Sequence, residues 1–345
     1  DLDLRGANVT LISTDGPAVT TLSTTTPVYL DGGRLEGFRI ESIASTVVYI
    51  SSGSPSVREL YLIDPTSYGL AVAGGSPIVE EVGIWNAGMH AFFVTGGTPT
   101  LNRNVSYGAT KYGFAIKSAS TLHSDIAIGG QWGFVFESAT STAYNLVAVD
   151  ASNGATAALY SSNVTNSVFM DNTVTLKCFS GYTLTFSNGI AYNSATATDC
   201  SGSPLSAMDD VNPDFASWSS SLPFEEIDLR PASGSPMIDA GSGTDADDGS
   251  VADLGAFGGS ENDWTDSDGD SWPVVFDCDD HDAQSYVHVT ERANGKDDDC
   301  DGIVDEDVPT DTDTDTDTDT DSYGDTDTDT DTDTDTDADT DRSEE

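Results

Sequence analysis

The chain repeats itself at a step of 22 residues. Gly53-Ser54-Pro55, Gly75-Ser76-Pro77 and Gly97-Thr98-Pro99 recur at that interval. Apolar columns keep the same step: Leu35, Val57, Val79 and Leu101; Ile40, Leu62 and Ile84; Leu70, Phe92 and Phe114, continued at Phe134 after a shorter repeat of 20. Inside each repeat, apolar residues alternate with period two, as in YGLAV, YGFAI and WGFVF, and helical patterning is nearly absent. Short strands at a fixed period near 20 residues imply a solenoid with one coil per repeat. One coil cannot bury its own inner face. Stacking on the next coil completes the core and pairs the backbone N–H and C=O groups. The predicted fold class is therefore all-β, a parallel β-helix of roughly 20–22 residues per coil.

The same step organises polar residues. Glu36, Arg58 and Glu80 share one column, and Glu59, Glu81 and Arg103 share the next. With coils about 4.8 Å apart, these read as opposite-charge ladders rather than as catalytic groups. Asp64 and Asn86 pair at a turn. Tyr68, His90, Tyr112 and Trp132 follow at steps of 22, 22 and 20. They form a strip that either packs or binds a ligand such as a sugar ring. Cys178 and Cys200 are also 22 apart, which allows a disulfide across coils or a stack of free thiols.

These repeats resemble those of right-handed parallel β-helix proteins of bacterial surfaces and polysaccharide processing, over roughly residues 1–260. Within Val211–Gly259, Ser235-Pro236-Met237-Ile238-Asp239-Ala240-Gly241 and Asp253-Leu254-Gly255-Ala256-Phe257-Gly258-Gly259 are similar to the closing segment that follows such repeats. Asn212-Pro213-Asp214-Phe215 departs slightly from its usual start. Such a segment is expected to cover an open strand edge. The resemblance implies a β-helix over 1–205 and a closing segment over 206–260.

The rest of the chain is of another kind. The net charge is −48; residues 1–260 carry 26 acids and 9 bases, and residues 261–345 carry 34 acids and 3 bases. Such a chain repels nucleic acid and anionic membrane and attracts divalent cations. Counted from Asp266, the residues Asp266, Asp268, Asp270 and Asp277 fall at positions 1, 3, 5 and 12 of a calcium-loop template. Position 6 is Ser271 instead of Gly, and position 12 is Asp instead of Glu. Asp297, Asp299, Asp301 and Asp305 fall at 1, 3, 5 and 9 of a second loop. A bond between Cys278 and Cys300 would pin the loops together in a segment too polar for a core of its own.

Asp277-Cys278-Asp279-Asp280-His281-Asp282 and Asn294-Gly295-Lys296-Asp297-Asp298-Asp299-Cys300-Asp301-Gly302, preceded by Asp266-Ser267-Asp268-Gly269-Asp270, resemble the MopE-type metal-binding motif of bacterial extracellular proteins. That implies a metal module over 261–308 and leaves a simple Cys278–Cys300 pair. The family name suggests copper, but copper favours nitrogen or sulfur ligands. His281 and His288 are at hand, yet the dense feature is hard oxygen, so calcium is the expected ion and copper is disfavoured. A weaker candidate is Asp245, Asp247, Asp248 and Asp253, which serves equally as a polar surface loop.

From 309 the sequence is almost purely Asp-Thr, with fifteen Asp between 311 and 341. Charge at every second residue and no apolar partner predict a disordered spacer. The start at Asp1 reads as a cut inside a longer protein, and no apolar run approaches the ~20 residues of a membrane span. No acid trio gathers on the solenoid, and Lys111, Lys117 and Arg103 have no evident acid cluster nearby. The expected function is non-catalytic: an extracellular or bacterial cell-surface protein that binds or displays, with polysaccharide or a cell-surface glycan as partner. The alternatives are a polysaccharide lyase or glycoside hydrolase of the β-helix class, and a purely structural surface component.

Overall fold

A computed structural model describes residues 2–6, 8–14, 16–138, 141–160, 162–179, 182, 184–194, 205–287, 289–300 and 304–305. Cys200, His288, Asp301 and the Asp-Thr tail lie outside them. Among the described residues no helix is long and apolar enough to cross a membrane.

The molecule is an all-β parallel solenoid of about 8 turns. The predicted columns are its stacking register. Val57 pairs with Val79, Val79 with Leu101, and Leu101 with Leu122. Each coil has three legs. In the coil built from Ser56–Ile63 and Tyr68–Val72, the first strand bends at Glu59, whose φ is 49°. The bend recurs in register at Glu81, Arg103, Ser124, Asn145, Asn166 and Asn188, all left-handed. A second left-handed corner runs through Asp64, Asn86, Asp150, Asp171 and Asn193. Asn and Asp tolerate this region better than most residues. The repeated Gly-Ser/Thr-Pro turn is the third corner. Gly53, Gly75 and Gly97 have φ of 73°, 84° and 82°, and a Cβ there would sit 1.6–2.1 Å from a carbonyl oxygen of the preceding coil. Only glycine fits such an approach.

The inner core runs the length of the solenoid. Phe92, Phe114 and Phe134 are fully buried and stack face to face at 4.5 and 4.8 Å. Lateral stacking of like on like makes each coil the template for the next.

A second core lies outside the solenoid. Val105, Ile126, Val147, Val168 and Ile190 stack in register. They are buried not with the inner core but against Phe215, Ile227, Leu229, Met237, Leu254 and Ala256. Strands covered on both faces read as continuous apolar runs, which is why these legs carry IAI and VAV. The closing segment therefore packs along the flank as well as near the end. At the end, Leu205 and Met208 reach the inner core, and Asp209 bridges to Ile190. The left-handed Asn bends hold the flank in place. Asn145 Nδ2 donates to the carbonyls of Asp253 and Gly255 at 3.0 and 2.9 Å. Asn166 makes a reciprocal pair with the backbone of Ser242, 2.9 Å each way.

Candidate metal centre

The acidic segment has a core after all. Trp272, Val274, Val275, Phe276 and Val287 are buried and continuous with the flank core. A single 3-10 turn, Val274–Phe276, follows Pro273 and turns these side chains inward. Phe276 stacks on Phe224 at 5.5 Å, and Phe224 meets Trp85 of the solenoid edge-on at 5.4 Å. The sequence expectation of a coreless segment thus fails, because the segment borrows apolar surface from the solenoid. The Cys278–Cys300 disulfide is present, with Cα atoms 5.4 Å apart. Closing a loop of this length contributes about 3 kcal/mol in the chain-entropy picture. Cys178 is buried and disulfide-bonded.

Most carboxylates here already have partners. Asp266 accepts from the N–H groups of Gly269 and Ser271. Asp280 accepts from the N–H and Oγ of Ser267 at 2.8 and 2.6 Å. Lys296 Nζ bridges Asp279 and Asp282 at 3.0 and 2.9 Å. Asp298 is paired with Arg292 and accepts from Asn294 and Ser285, and the guanidinium holds its carboxyl down to about 2. Asp305 accepts from the N–H groups of Asn294 and Gly295. Glu291, 5% exposed, accepts from the N–H groups of Asp298, Asp299 and Asp305.

Three residues differ. Asp268, Asp270 and Asp277 each spend Oδ1 on the N–H two residues on, at 3.2, 2.7 and 2.8 Å. Each leaves a buried Oδ2 without a hydrogen-bond partner. The three residues also offer carboxylate oxygens within 4.8 Å of one another. Asp277, 1% exposed, is pushed up to about 9 by burial and then by the charges of Asp270 and Asp268. Asp270 rises to about 6 by burial and then by the charges of Asp268 and Asp266, and Asp268 rises by burial and then by the charge of Asp266. Converging, desolvated like charges are the environment that a cation relieves.

Of the predicted ligands, Asp268, Asp270 and Asp277 gather as the loop template implied. Asp266 meets Asp268 in a second group with Asp280, and Asp297 and Asp299 form a third with Glu291. Asp280 and Glu291 escaped the template, Asp280 because it lies past position 12 and Glu291 because it precedes the second loop. Asp305 is turned to backbone N–H groups. In the weaker candidate, Asp245, Asp247 and Asp248 come together, but Asp245 accepts from the N–H groups of Asp253 and Gly259, and Asp253 from that of Asp239. That loop is a backbone staple.

The aromatic strip assembles in register. Tyr68 pairs with His90, His90 with Tyr112, and Tyr112 with Trp132. His90 stacks on Tyr68 at 5.5 Å and on Tyr112 at 4.4 Å. Burial pushes His90 down to about 4, so it is neutral and part of the stack. His123 is isolated in sequence but stacks on Tyr144 at 4.9 Å. The charge ladder forms only in part: Arg58 lies 3.5 Å from Glu80 and, across columns, 3.2 Å from Glu81, and Arg103 lies 3.1 Å from Glu81. Glu36 instead pairs with Arg34 of its own coil, and Glu59 is pushed up to about 7 by burial and then by the charges of Glu36 and Glu81.

Residues 277–306 match the family described as a putative metal-binding motif, Cu-binding MopE. The match covers the second part of the acidic segment, begins at Asp277 and leaves out Asp268 and Asp270. No curated protein and no solved structure matches the chain.

Proposed function

We propose that this chain is a non-catalytic, cation-braced solenoid whose acidic segment holds calcium at Asp268, Asp270 and Asp277. The observation that carries the reading is the convergence of three carboxylates, each with a buried, unpartnered Oδ2. Hard oxygen donors suit calcium. The four carboxylate groups among the described residues contain no His or Cys, the donors that copper favours. Backbone carbonyls and water complete the 6–8 ligands that calcium takes. The ion supplies charge neutralisation and cross-linking, with no step of chemistry routed through it. Glu291, Asp297 and Asp299 are the second candidate, and Asp301 belongs with them by spacing.

The disulfide supports an oxidising compartment, hence an extracellular or cell-surface location, with the Asp-Thr tail as spacer. The rigid face with its Tyr68, His90, Tyr112 and Trp132 strip would present or bind a polysaccharide. Calorimetric titration of the metal-free chain with calcium, magnesium and cupric ions tests the first part. Calcium binding lost in Asp277→Asn supports it, and tighter cupric binding that survives Asp277→Asn overturns it. Retention on a panel of acidic and neutral polysaccharides, with calcium and then EDTA, tests the second. Retention lost in Tyr112→Ala and Trp132→Ala supports the strip. Cleavage of any polysaccharide replaces the reading with the lyase or hydrolase alternative.

A further inference from the structure

The loop from Asp266 to Asp277 is gripped at both ends by solenoid coils far upstream. Before it, Thr265 donates its N–H to Glu81 Oε1 at 2.7 Å and its Oγ1 hydrogen to Glu81 Oε2 at 2.8 Å. Glu81 is fully buried, and Arg58 and Arg103 hold its charge from the adjacent coils. At the far end, Tyr61 Oη, 9% exposed residue and all, is directed at the carbonyls of Val274 and Asp277, the latter at 2.6 Å. Its ring is set by the edge-on Trp85 at 5.2 Å. The next coil carries Gly83 in register with Tyr61, and a Cβ there would sit 2.1 Å from the Trp85 ring. That glycine clears the space in which Trp85 props Tyr61.

We infer that the solenoid is part of the cation site: Tyr61 and Glu81 are positioning residues that hold the Asp268, Asp270 and Asp277 carboxylates in binding geometry. This rests on the cation reading above. The logic is that of supporting groups behind a metal site, whose removal typically costs about 10–100-fold in affinity. Tyr61 holds the main chain of the same residue whose carboxylate is the most buried of the three. Without the hydroxyl, the carbonyls of Val274 and Asp277 lose the one O–H hydrogen they share, and the peptide carrying Asp277 is free to rotate. Without the Glu81 carboxylate, the chain entering the loop loses both of its anchors at once. The charge ladder, read from sequence as bracing between coils, therefore has a second task at this place. Its outward carboxylate captures another segment of the chain.

The test uses the full chain. Calcium affinity is measured by calorimetry, and the number of waters on bound terbium by luminescence lifetimes in H2O and D2O. The proteins are the unsubstituted chain, Tyr61→Phe, Glu81→Gln, the milder Thr265→Val and a remote control, Tyr49→Phe. The expected result is a loss of calcium affinity of about tenfold or more in Tyr61→Phe and Glu81→Gln, with additional water on terbium. Thr265→Val changes in the same direction by less, and Tyr49→Phe is unchanged. A purely structural role would lower melting temperature in EDTA but leave affinity and ion hydration alone, and that result overturns the inference while the cation reading stands. If the unsubstituted chain binds no calcium, both fall. Should Tyr61→Phe or Glu81→Gln not fold, Thr265→Val decides alone, and its binding calcium like the unsubstituted chain counts against the inference.

Discussion

Asp125 follows the left-handed bend of its coil at Ser124 (φ 55°) and is fully buried. At this place in the coil the bend interrupts the regular ladder, and side chains accept the stranded N–H groups. Val82 donates its N–H to Asn104 Oδ1 at 3.1 Å, Asn104 to Asp125 Oδ1 at 2.9 Å, and Leu146 to Ser167 Oγ at 3.0 Å. Asn104 also donates its amide to the Val79 carbonyl at 3.1 Å. Asp125 cannot do the equivalent when ionised, and its Oδ2 has no hydrogen-bond partner. Burial pushes it up to about 7, against the pull of the Asn104 hydrogen bonds.

The direction of the pH effect follows. A carboxyl that is harder to ionise folded than unfolded contributes fully below the unfolded value of 3.8, and its contribution is lost as pH rises towards about 7. The span from 3.8 to about 7, at 1.36 kcal/mol per unit, makes the ionised form costly by about 4 kcal/mol. Asp125→Asn keeps the Oδ1 acceptor and never ionises. Leu101 holds in its coil the place of Val79, so its carbonyl would serve the new amide as the Val79 carbonyl serves that of Asn104. The substitution should therefore be nearly neutral at pH 4 and stabilise by about 4 kcal/mol at pH 8. Urea unfolding of both proteins, followed by tryptophan fluorescence at pH 4, 6 and 8 in constant calcium, reads this difference directly. Other titrating groups are common to both proteins and cancel. A stability difference that does not change with pH, or a destabilised Asn variant at pH 8, would refute the argument that an unpartnered buried carboxylate sits there.

Other outcomes follow from the same geometry. Asp277→Asn removes a ligand and should weaken calcium binding by at least the roughly 10–100-fold that loss of a supporting group costs, whereas Asp279→Asn, whose carboxylate belongs to Lys296, should leave it nearly unchanged; calorimetry separates the two. Phe114→Ala, in the middle of the inner stack, should cost about 3–5 kcal/mol, read as a lower urea midpoint. Asn145→Ala strands two flank carbonyls and places alanine at φ 55°. It should cost about 1–3 kcal/mol and expose the Val147 flank to hydrogen exchange before the inner core.

The solenoid was legible because its rule is local and repeated. Each coil stacks on a near-copy, so the 22-residue step in Leu35, Val57, Val79 and Leu101 is the register itself. The carboxylate loop was legible in part. Alternate Asp residues after Asp266 announce oxygen ligands, but Asp266, Asp268 and Asp270 are equivalent on paper. What separates them is which N–H groups and cations the fold delivers.

What the sequence determined alone was thus the coil, the interior columns, the Arg58–Glu80 and Glu81–Arg103 ion pairs and the place of the acidic segment. These depend on spacing within the chain and on neighbours one repeat away. Only the tertiary structure decided that a second core covers the Val105–Ile190 column, that Lys296 and Arg292 neutralise some acids, and that Asp268, Asp270 and Asp277 are left facing one another. The same holds for Tyr61 and Glu81, which reach residues 216 and 184 positions away. Such contacts form between surfaces of different periodicity, or of none, and no column in the sequence records them.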